Sequence, residues 1–160
     1  MPYGQLTING KDAYLTWGIS LSSTALSTLM TPPPMKSYVE NSNRLKHGKS
    51  MEANYPRYDV REITITFNLV AKNASMFYSR YEKFCKEVLS TGKVNILTSF
   101  QPQTEYKCLY VSCTQFSEYV QEMAVFALKL VEPNPDNRVP EIHIDDESST
   151  IRPLNEDDND

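Results

Sequence analysis

Residues 73–92 constrain the fold most, because their apolar side chains recur with the period of an α-helix. The apolar positions are Phe77, Tyr81, Phe84, Cys85, Val88 and Leu89. Polar and charged residues fill the opposite face. Asn73 or Ser75 can cap the first turn, and Gly92 can take the left-handed conformation that ends a helix. One face of this helix must be covered to be stable, and the flanking sequence predicts strands as the cover.

Alternating apolar and polar residues predict strands on both sides of the helix. The predicted strands span residues 5–8, 13–21, 62–71, 93–100, 105–113 and 120–131. Asn9-Gly10 is typical of a hairpin turn, so residues 13–21 are expected to pair back on residues 5–8. The order is typical of the α+β class: a mainly antiparallel β-sandwich or half-barrel with one packed amphipathic helix.

Within these strands, individual residues carry further expectations. Tyr106 and Cys108 are expected on one face of a central strand, with Leu109 and Val111 on the other. Trp17, the single tryptophan, is interpreted as a packing anchor. The three cysteines show no metal-ligand spacing, so we expect buried thiols in a reducing compartment; they are Cys85, Cys108 and Cys113.

A long polar connection at residues 22–61 interrupts the strand pattern. Near its start, residues 25–30 can form a short helical turn or pack as a strap, and the Pro32-Pro33-Pro34 run that follows favours extended geometry. Between residues 36 and 61, six basic residues, Arg61 among them, face three acidic ones. A connection of this length in a compact domain is often functional. We expect residues 31–61 to be extended or poorly ordered in the free subunit and to act in assembly.

The composition of this connection favours protein contact over nucleic-acid contact, because the basic excess is small and its tyrosines fit no nucleotide-binding motif. Exposed tyrosine and arginine are favoured where proteins meet proteins. The candidate contact residues are Pro32, Pro33, Pro34, Lys36, Arg44, Lys46, Lys49, Tyr55, Arg57 and Tyr58.

The C-terminal part of the sequence is acidic. Residues 141–160 carry eight acidic residues against one arginine, whereas the rest of the chain has a small basic excess. Two prolines at 133 and 135 oppose further strand pairing. We therefore expect a β domain over residues 1–135 and an acidic, disordered tail over residues 136–160. The tail after Pro140 is predicted to be dispensable for folding; alternatively, it shields a basic surface or docks on a partner.

Residue patterns give no support to catalysis or to metal binding. His47 lies in the polar connection and His143 in the tail, and the sequence has no Ser-His-Asp arrangement, Cys-x-x-Cys motif or glycine-rich phosphate loop. The acidic cluster at residues 145–147 lacks the alternating ligands of a calcium loop. We expect no enzymatic activity, no metal and no cofactor. No apolar run is long enough for a membrane span, and no secretory signal is expected at the N-terminus.

Three stretches in this order resemble a known family: LTINGKDAYLTWGISL, then TPPPMKSYVE with NRLKHGK, then ITITFNLVA leading into the amphipathic helix. Over roughly residues 5–133, the chain resembles the N-terminal domain of distal tail and related minor tail proteins of long-tailed bacteriophages. The resemblance implies a tail-tube fold, in which the sheets of neighbouring subunits join into a hexameric ring around a channel. That family is not enzymatic.

The implied partners are copies of this chain and other phage tail proteins, with no membrane and no nucleic acid except DNA passing through the channel. The implied location is the virion tail, assembled in the host cytoplasm. The acidic C-terminus stands in place of the carbohydrate-binding or extension domain that larger members carry, which favours a bare ring or connector over host-surface binding. Two alternatives stay open: a small phage-encoded nucleic-acid-binding or regulatory protein that uses loop 36–61, and a small enzyme of an unrecognised class.

Overall fold

The computed structural model describes residues 5–42, 44–45, 47–52, 56–120 and 122–141. The strands are β1 (Leu6–Ile8), β2 (Lys11–Asp12), β3 (Ile19–Leu21), β4 (Val39–Ser42), β5 (Lys49–Glu52), β6 (Arg61–Val70), β7 (Lys93–Thr98), β8 (Glu105–Val120) and β9 (Met123–Glu132). The helices are α1 (Ala13–Trp17), α2 (Ala25–Leu29) and α3 (Ala74–Glu87), with a 3₁₀ turn at Leu89–Thr91. Seven strands form one antiparallel sheet in the order β2-β1-β7-β8-β9-β6-β3, and β4 pairs with β5 alone.

Helix α3 confirms the prediction for residues 73–92. The Asn73 side chain accepts a hydrogen bond from the backbone N–H of Met76 at 2.8 Å, which caps the first turn. At the other end, Gly92 has φ 76° and closes the 3₁₀ turn that follows the helix. Phe77, Phe84 and Val88 are buried, as their shared face requires.

The core lies between α3 and one face of the sheet, called here the inner face. Strand β6 contributes Ile63, Ile65, Phe67 and Leu69 to it, which confirms the alternation expected over residues 62–71. Phe84 of α3 lies 5.9 Å from Phe126 of β9 and 5.7 Å from Trp17, measured between ring centroids. Trp17 is therefore the packing anchor that the sequence predicted, and its indole N–H donates to Glu87.

The hairpin at the N-terminus is shorter than expected. Asn9 and Gly10 both have positive φ, which confirms the turn, but the returning strand β2 has only two residues. The prediction that residues 13–21 pair back was wrong. The Asp12 side chain caps α1 by accepting from Leu15, and Gly18 ends that helix in the left-handed conformation. The chain after Gly18 then pairs with β6 instead.

Helix α1 consequently joins the two ends of the seven-stranded sheet. It runs directly from β2 at one edge to β3 at the other. A five-residue helix spans only about 7.5 Å, so the two edges must lie close together and the sheet must curl. This geometry confirms the predicted fold class, α+β and mainly antiparallel with a packed amphipathic helix, in its half-barrel form.

Strand β8 is longer than the predicted 105–113. Tyr106 and Cys108 are buried while Leu109 and Val111 are exposed, as expected from alternation. Strand β7 pairs with β8 only as far as Leu109, whereas β9 continues beside β8 to Val120. Among the described strands, the stretch from Val111 to Val120 therefore has a partner on one side only.

The long connection contains structure that the sequence pattern did not predict. Strands β4 and β5 pair as an antiparallel hairpin at its centre, a regular pairing that was not expected within residues 31–61. Residues 25–29 form the helical turn α2. The hairpin was missed because its strands, VENS and KSME, have no run of alternating apolar residues.

Candidate interaction surfaces

Two backbone hydrogen bonds close the base of the long connection. The N–H of Lys36 donates to the carbonyl of Arg57, and the N–H of Asp59 donates to the carbonyl of Pro34, both at 2.8 Å. Met35 and Tyr58 lie opposite each other between these bonds. Residues 36–57 consequently leave the domain and return to it at one place, and we call them the arm.

An open groove of about 790 Å³ lies at the base of the arm. Its walls are Met35, Lys36, Pro56, Arg57, Tyr58, Asp59, Val60, Pro133, Asn134 and Asp136. Tyr58 is 46% exposed and Val60 is 48% exposed, so the groove presents apolar surface to solvent. Two basic residues in it are balanced by two carboxylates. The arrangement suits a protein segment, which would be held by shape and aromatic contact more than by net charge.

The structure brings part of the predicted contact set together at this groove. Lys36, Arg57 and Tyr58 line it, and the exposed Pro32 and Pro34 and the half-buried Pro33 lie in the segment that leads to it. Arg44 is exposed in the turn between β4 and β5, away from the groove in sequence. Lys49 lies in β5, and its side chain is not described; Lys46 and Tyr55 lie outside the described residues.

The sequence analysis counted Arg61 among the basic residues of the connection. In the structure, Arg61 is buried and does not contribute to a basic surface. It lies on β6 directly opposite Glu132 of β9, and the two side chains are 3% and 0% exposed. Arg61 Nε donates to Glu132 Oε1 at 2.9 Å, and its Nη1 donates to the carbonyls of Leu29 and Thr31, each at 2.7 Å. Arg61 therefore fixes the segment from which the arm departs.

A second guanidinium completes this buried cluster. Arg138 donates two hydrogen bonds to Glu132, at 2.8 and 2.9 Å, and these raise the pKa of Arg138. The guanidinium carbons of Arg61 and Arg138 lie 5.2 and 4.7 Å from the ring centroid of Tyr106. The cluster connects the segment that leads to the arm, strands β6 and β9, and the C-terminal segment, residues 133–141. The sequence offered one signal for it: Arg61 is in phase with the inward residues of β6.

The unpaired edge of β8 is a second candidate surface. The residues from Val111 to Phe116 are all exposed. Register shifts relative to β9 fall between Tyr110 and Ser112, between Cys113 and Gln115, and between Glu118 and Val120. Bulges of this kind bend an edge strand and limit unspecific pairing, while leaving backbone donors and acceptors available to a matching strand.

The cysteines are free thiols; Cys108 is buried as expected, Cys85 is half-buried and Cys113 is exposed. Cys108 is buried, and burial raises its pKa to about 12; burial also raises the pKa of the half-buried Cys85. Both are therefore protonated and weakly nucleophilic near neutral pH. Cys113 is exposed on β8, so the prediction that all three are buried was wrong.

Within the described residues, no group of three His, Cys, Asp or Glu side chains is placed to hold a metal ion. The acidic cluster at residues 145–147 and the rest of residues 142–160 lie outside that part of the chain. No helix among the described residues is long and apolar enough to cross a membrane.

Comparison with known proteins shows a likeness of fold. No protein-family model matches the sequence, and no curated protein matches it either. Among solved structures, the chain is similar to the Dit (gp 19.1) protein of phage SPP1, titled a paradigm of the hub adsorption apparatus in phages that infect Gram-positive bacteria. The TM-score is 0.56 at 12% identity, over 84% of this chain. The two chains share a fold.

The likeness to Dit is one of architecture and extends over part of that protein. This chain spans about half, 51%, of the Dit chain. The resemblance to distal tail proteins that the sequence suggested is thereby supported as a phage-tail-related fold. At 12% identity, the two chains can be compared in the arrangement of their strands and helix, but not in the roles of single residues.

Proposed function

We propose that this chain is a structural, non-enzymatic component of a long-tailed phage or prophage tail, and that it assembles into a ring, a hexamer, at the tail tube or distal tail. The single observation that carries the proposal is the fold shared with SPP1 Dit over 84% of the chain. In this proposal the chain belongs to the virion tail and is assembled in the host cytoplasm, with other tail proteins as partners.

The topology supports a contact through sheet edges. A ring requires a heterologous interface, in which one edge of each subunit meets a different surface of the next. The stretch from Val111 to Val120 offers backbone groups along one side, and closing the ring removes this edge from solvent. The arm, which leaves the domain at a single base, is free to reach the neighbouring subunit or ring.

The nucleic-acid-binding alternative draws less support from the described residues. Arg61 is buried and engaged with Glu132, so it does not add to a basic surface. In the groove at the arm's base, Lys36 and Arg57 are accompanied by Asp59 and Asp136. Strong phosphate binding needs several unopposed cations, and it weakens steeply with salt.

The test mixes the purified chain with the tail components encoded beside it and looks for rings or tube ends by electron microscopy. Thr114→Pro removes a backbone donor at a bulge of β8, where proline is tolerated, and Thr114→Ala is the matched control that keeps the donor. We expect rings with the natural chain and with Thr114→Ala, and none with Thr114→Pro. Salt-sensitive DNA binding without rings would instead favour the regulatory alternative.

A further inference from the structure

Helix α3 and the middle of strand β8 run side by side in opposite directions. The ring of Tyr81 on α3 lies 5.6 Å from the ring of Phe116 on β8, measured between centroids. After the helix, the carbonyl of Gly92 accepts a hydrogen bond from the backbone N–H of Tyr110 at 2.8 Å. As the chain advances from Tyr81 to Gly92, its contacts therefore move back along β8 from Phe116 to Tyr110. Residues between these two contacts face each other across the boundary of helix and strand.

One cysteine lies on each side of this boundary, between the two contacts. Cys85 follows Tyr81 by one helical turn, so it lies on the same face of α3. Cys113 pairs with Leu128 of β9, whose side chain is buried on the inner face of the sheet. Residues that pair across neighbouring strands point to the same side of a sheet. Cys113 therefore points to the side on which α3 and Cys85 lie.

Two tyrosines join these cysteines into one cluster. A hydrogen bond to Cys85 and burial raise the pKa of Tyr81, and the charge of Cys113 adds to the rise. Burial raises the pKa of Tyr110, with further contributions from Cys113 and Cys85. Burial also raises the pKa of Cys85, and the charge of Cys113 acts in the same direction. Since such interactions weaken with distance, these pKa values agree with the placement that the helix and strand contacts give.

The three thiols differ in their access to solvent. Cys113 is exposed, and its Sγ donates to the carbonyl of Gln115 at 3.3 Å, a weak hydrogen bond that a side-chain rotation releases. Cys85 is half-buried beside it. Cys108 is buried, and burial raises its pKa to about 12, so it reacts poorly. A dissolved oxidant therefore meets Cys113 first, with Cys85 as the neighbouring thiol.

We propose that Cys85 and Cys113 are a redox pair, which a small-molecule disulfide such as oxidised glutathione converts into a disulfide between α3 and β8. The Cys113 thiolate attacks one sulfur of oxidised glutathione, forms a mixed disulfide and releases one glutathione. The Cys85 thiolate then attacks the Cys113 sulfur and releases the second glutathione. The two thiol protons pass to the two glutathione thiolates, so the protein is oxidised by two electrons and glutathione disulfide is reduced.

The cross-link acts on the part of β8 that has a partner strand on one side only. It joins α3 to this stretch and closes a loop of residues 85–113, which contains all of β7. Closing a loop restricts the unfolded chain and stabilises the folded one. In a reducing compartment the pair stays as two thiols, and in an oxidising one it fastens the helix to the strand. The inference goes beyond the proposed function and concerns the single chain.

Oxidation of the dilute full chain with oxidised glutathione tests the pair directly. We expect an intact mass lower by two hydrogen atoms, and, in a peptide map without reduction, one linked pair of peptides that contain Cys85 and Cys113. The control variant combines Cys85→Ser with Lys83→Cys, which moves the thiol to the exposed side of α3. The natural pair should close about tenfold or more faster than this displaced pair.

Three outcomes overturn the proposal. Equal closure rates mean that the natural positions bring no proximity, a stable product with glutathione on each cysteine means that the thiols do not meet, and predominant dimers linked through Cys113 mean that the partner is a second copy. Melting provides a readout without substitutions: the cross-linked chain should melt about 5 °C or more above the reduced chain. An unchanged or lower melting temperature contradicts a cross-link that fits the native fold, whether or not rings form with other tail proteins.

Discussion

The backbone at Gly18 leaves no room for a side chain. Gly18 has φ +68°, and a Cβ atom there would lie 2.2 Å from the carbonyl oxygen of Val70, which also accepts from Arg80. We expect Gly18→Ala to cost about 2–4 kcal/mol, from the left-handed conformation plus the displacement of a packed backbone. Gly92→Ala is the control, because it has φ +76° with nothing within 4 Å and should cost about 1 kcal/mol. Urea unfolding measures both; equal losses would contradict the close approach.

Glu132 is the second residue on which the packing depends. It accepts hydrogen bonds from Arg61 and Arg138 and is inaccessible to solvent. Glu132→Gln removes the negative charge between two guanidinium groups and should cost about 3–5 kcal/mol of unfolding free energy. The control is Glu62→Gln, whose partner Lys129 is exposed and 3.8 Å away, and it should change stability by less than about 1 kcal/mol. A small effect of Glu132→Gln would mean that the buried cluster of Arg61, Glu132 and Arg138 does not contribute to the stability of the fold.

At the scale of elements, helix α3 should support the sheet through one face. Phe84→Ala should cost about 3–5 kcal/mol, because it removes contacts with Trp17 and Phe126 and leaves a cavity. Lys83, one position around the helix, is exposed, so Lys83→Ala should have little effect. Thermal or urea unfolding of the two variants measures the difference. Similar losses would show that the helix has a different face toward the core.

Elements with strong local periodicity could be predicted from the sequence, and elements decided by pairing could not. The periods of α3, β6 and β9 are visible over ten or more residues. Helix α1 has only five residues and depends on its Asp12 cap and on Gly18. The second half of β8 reads TQFSEYV, with little alternation, and its strand conformation follows from pairing with β9.

The candidate surfaces, too, could be predicted where a local sequence pattern marks them and not where the fold brings distant residues together. Proline, tyrosine and basic residues indicated the arm, and Lys36, Arg57 and Tyr58 do meet at its base. The partners that form the other wall, Pro133 and Asn134, come from beyond β9 and are brought there by the fold. The unpaired edge of β8 likewise depends on where β7 begins, which no local pattern encodes.

At the scale of the whole molecule, the C-terminal segment contacts the domain through Arg138 and Glu141. Removing residues 142–160 should leave the melting temperature within a few degrees, because this stretch is acidic and has no periodic run of apolar residues. Removing residues 138–160 should destabilise the chain by several kcal/mol, because Glu132 and Tyr106 lose Arg138. Calorimetry compares the two truncations. Equal melting temperatures would place the end of the folded domain before Arg138, near the predicted boundary at residue 135.

Localisation of the chain in purified virions tests the proposed role most directly. Quantitative mass spectrometry with immunogold electron microscopy should find it on the tail, at about six copies per particle for a hexameric ring. The gold label should concentrate at one level of the tail tube or at its distal end. Absence of the chain from purified virions, or its recovery bound to nucleic acid in lysates, would contradict the structural role.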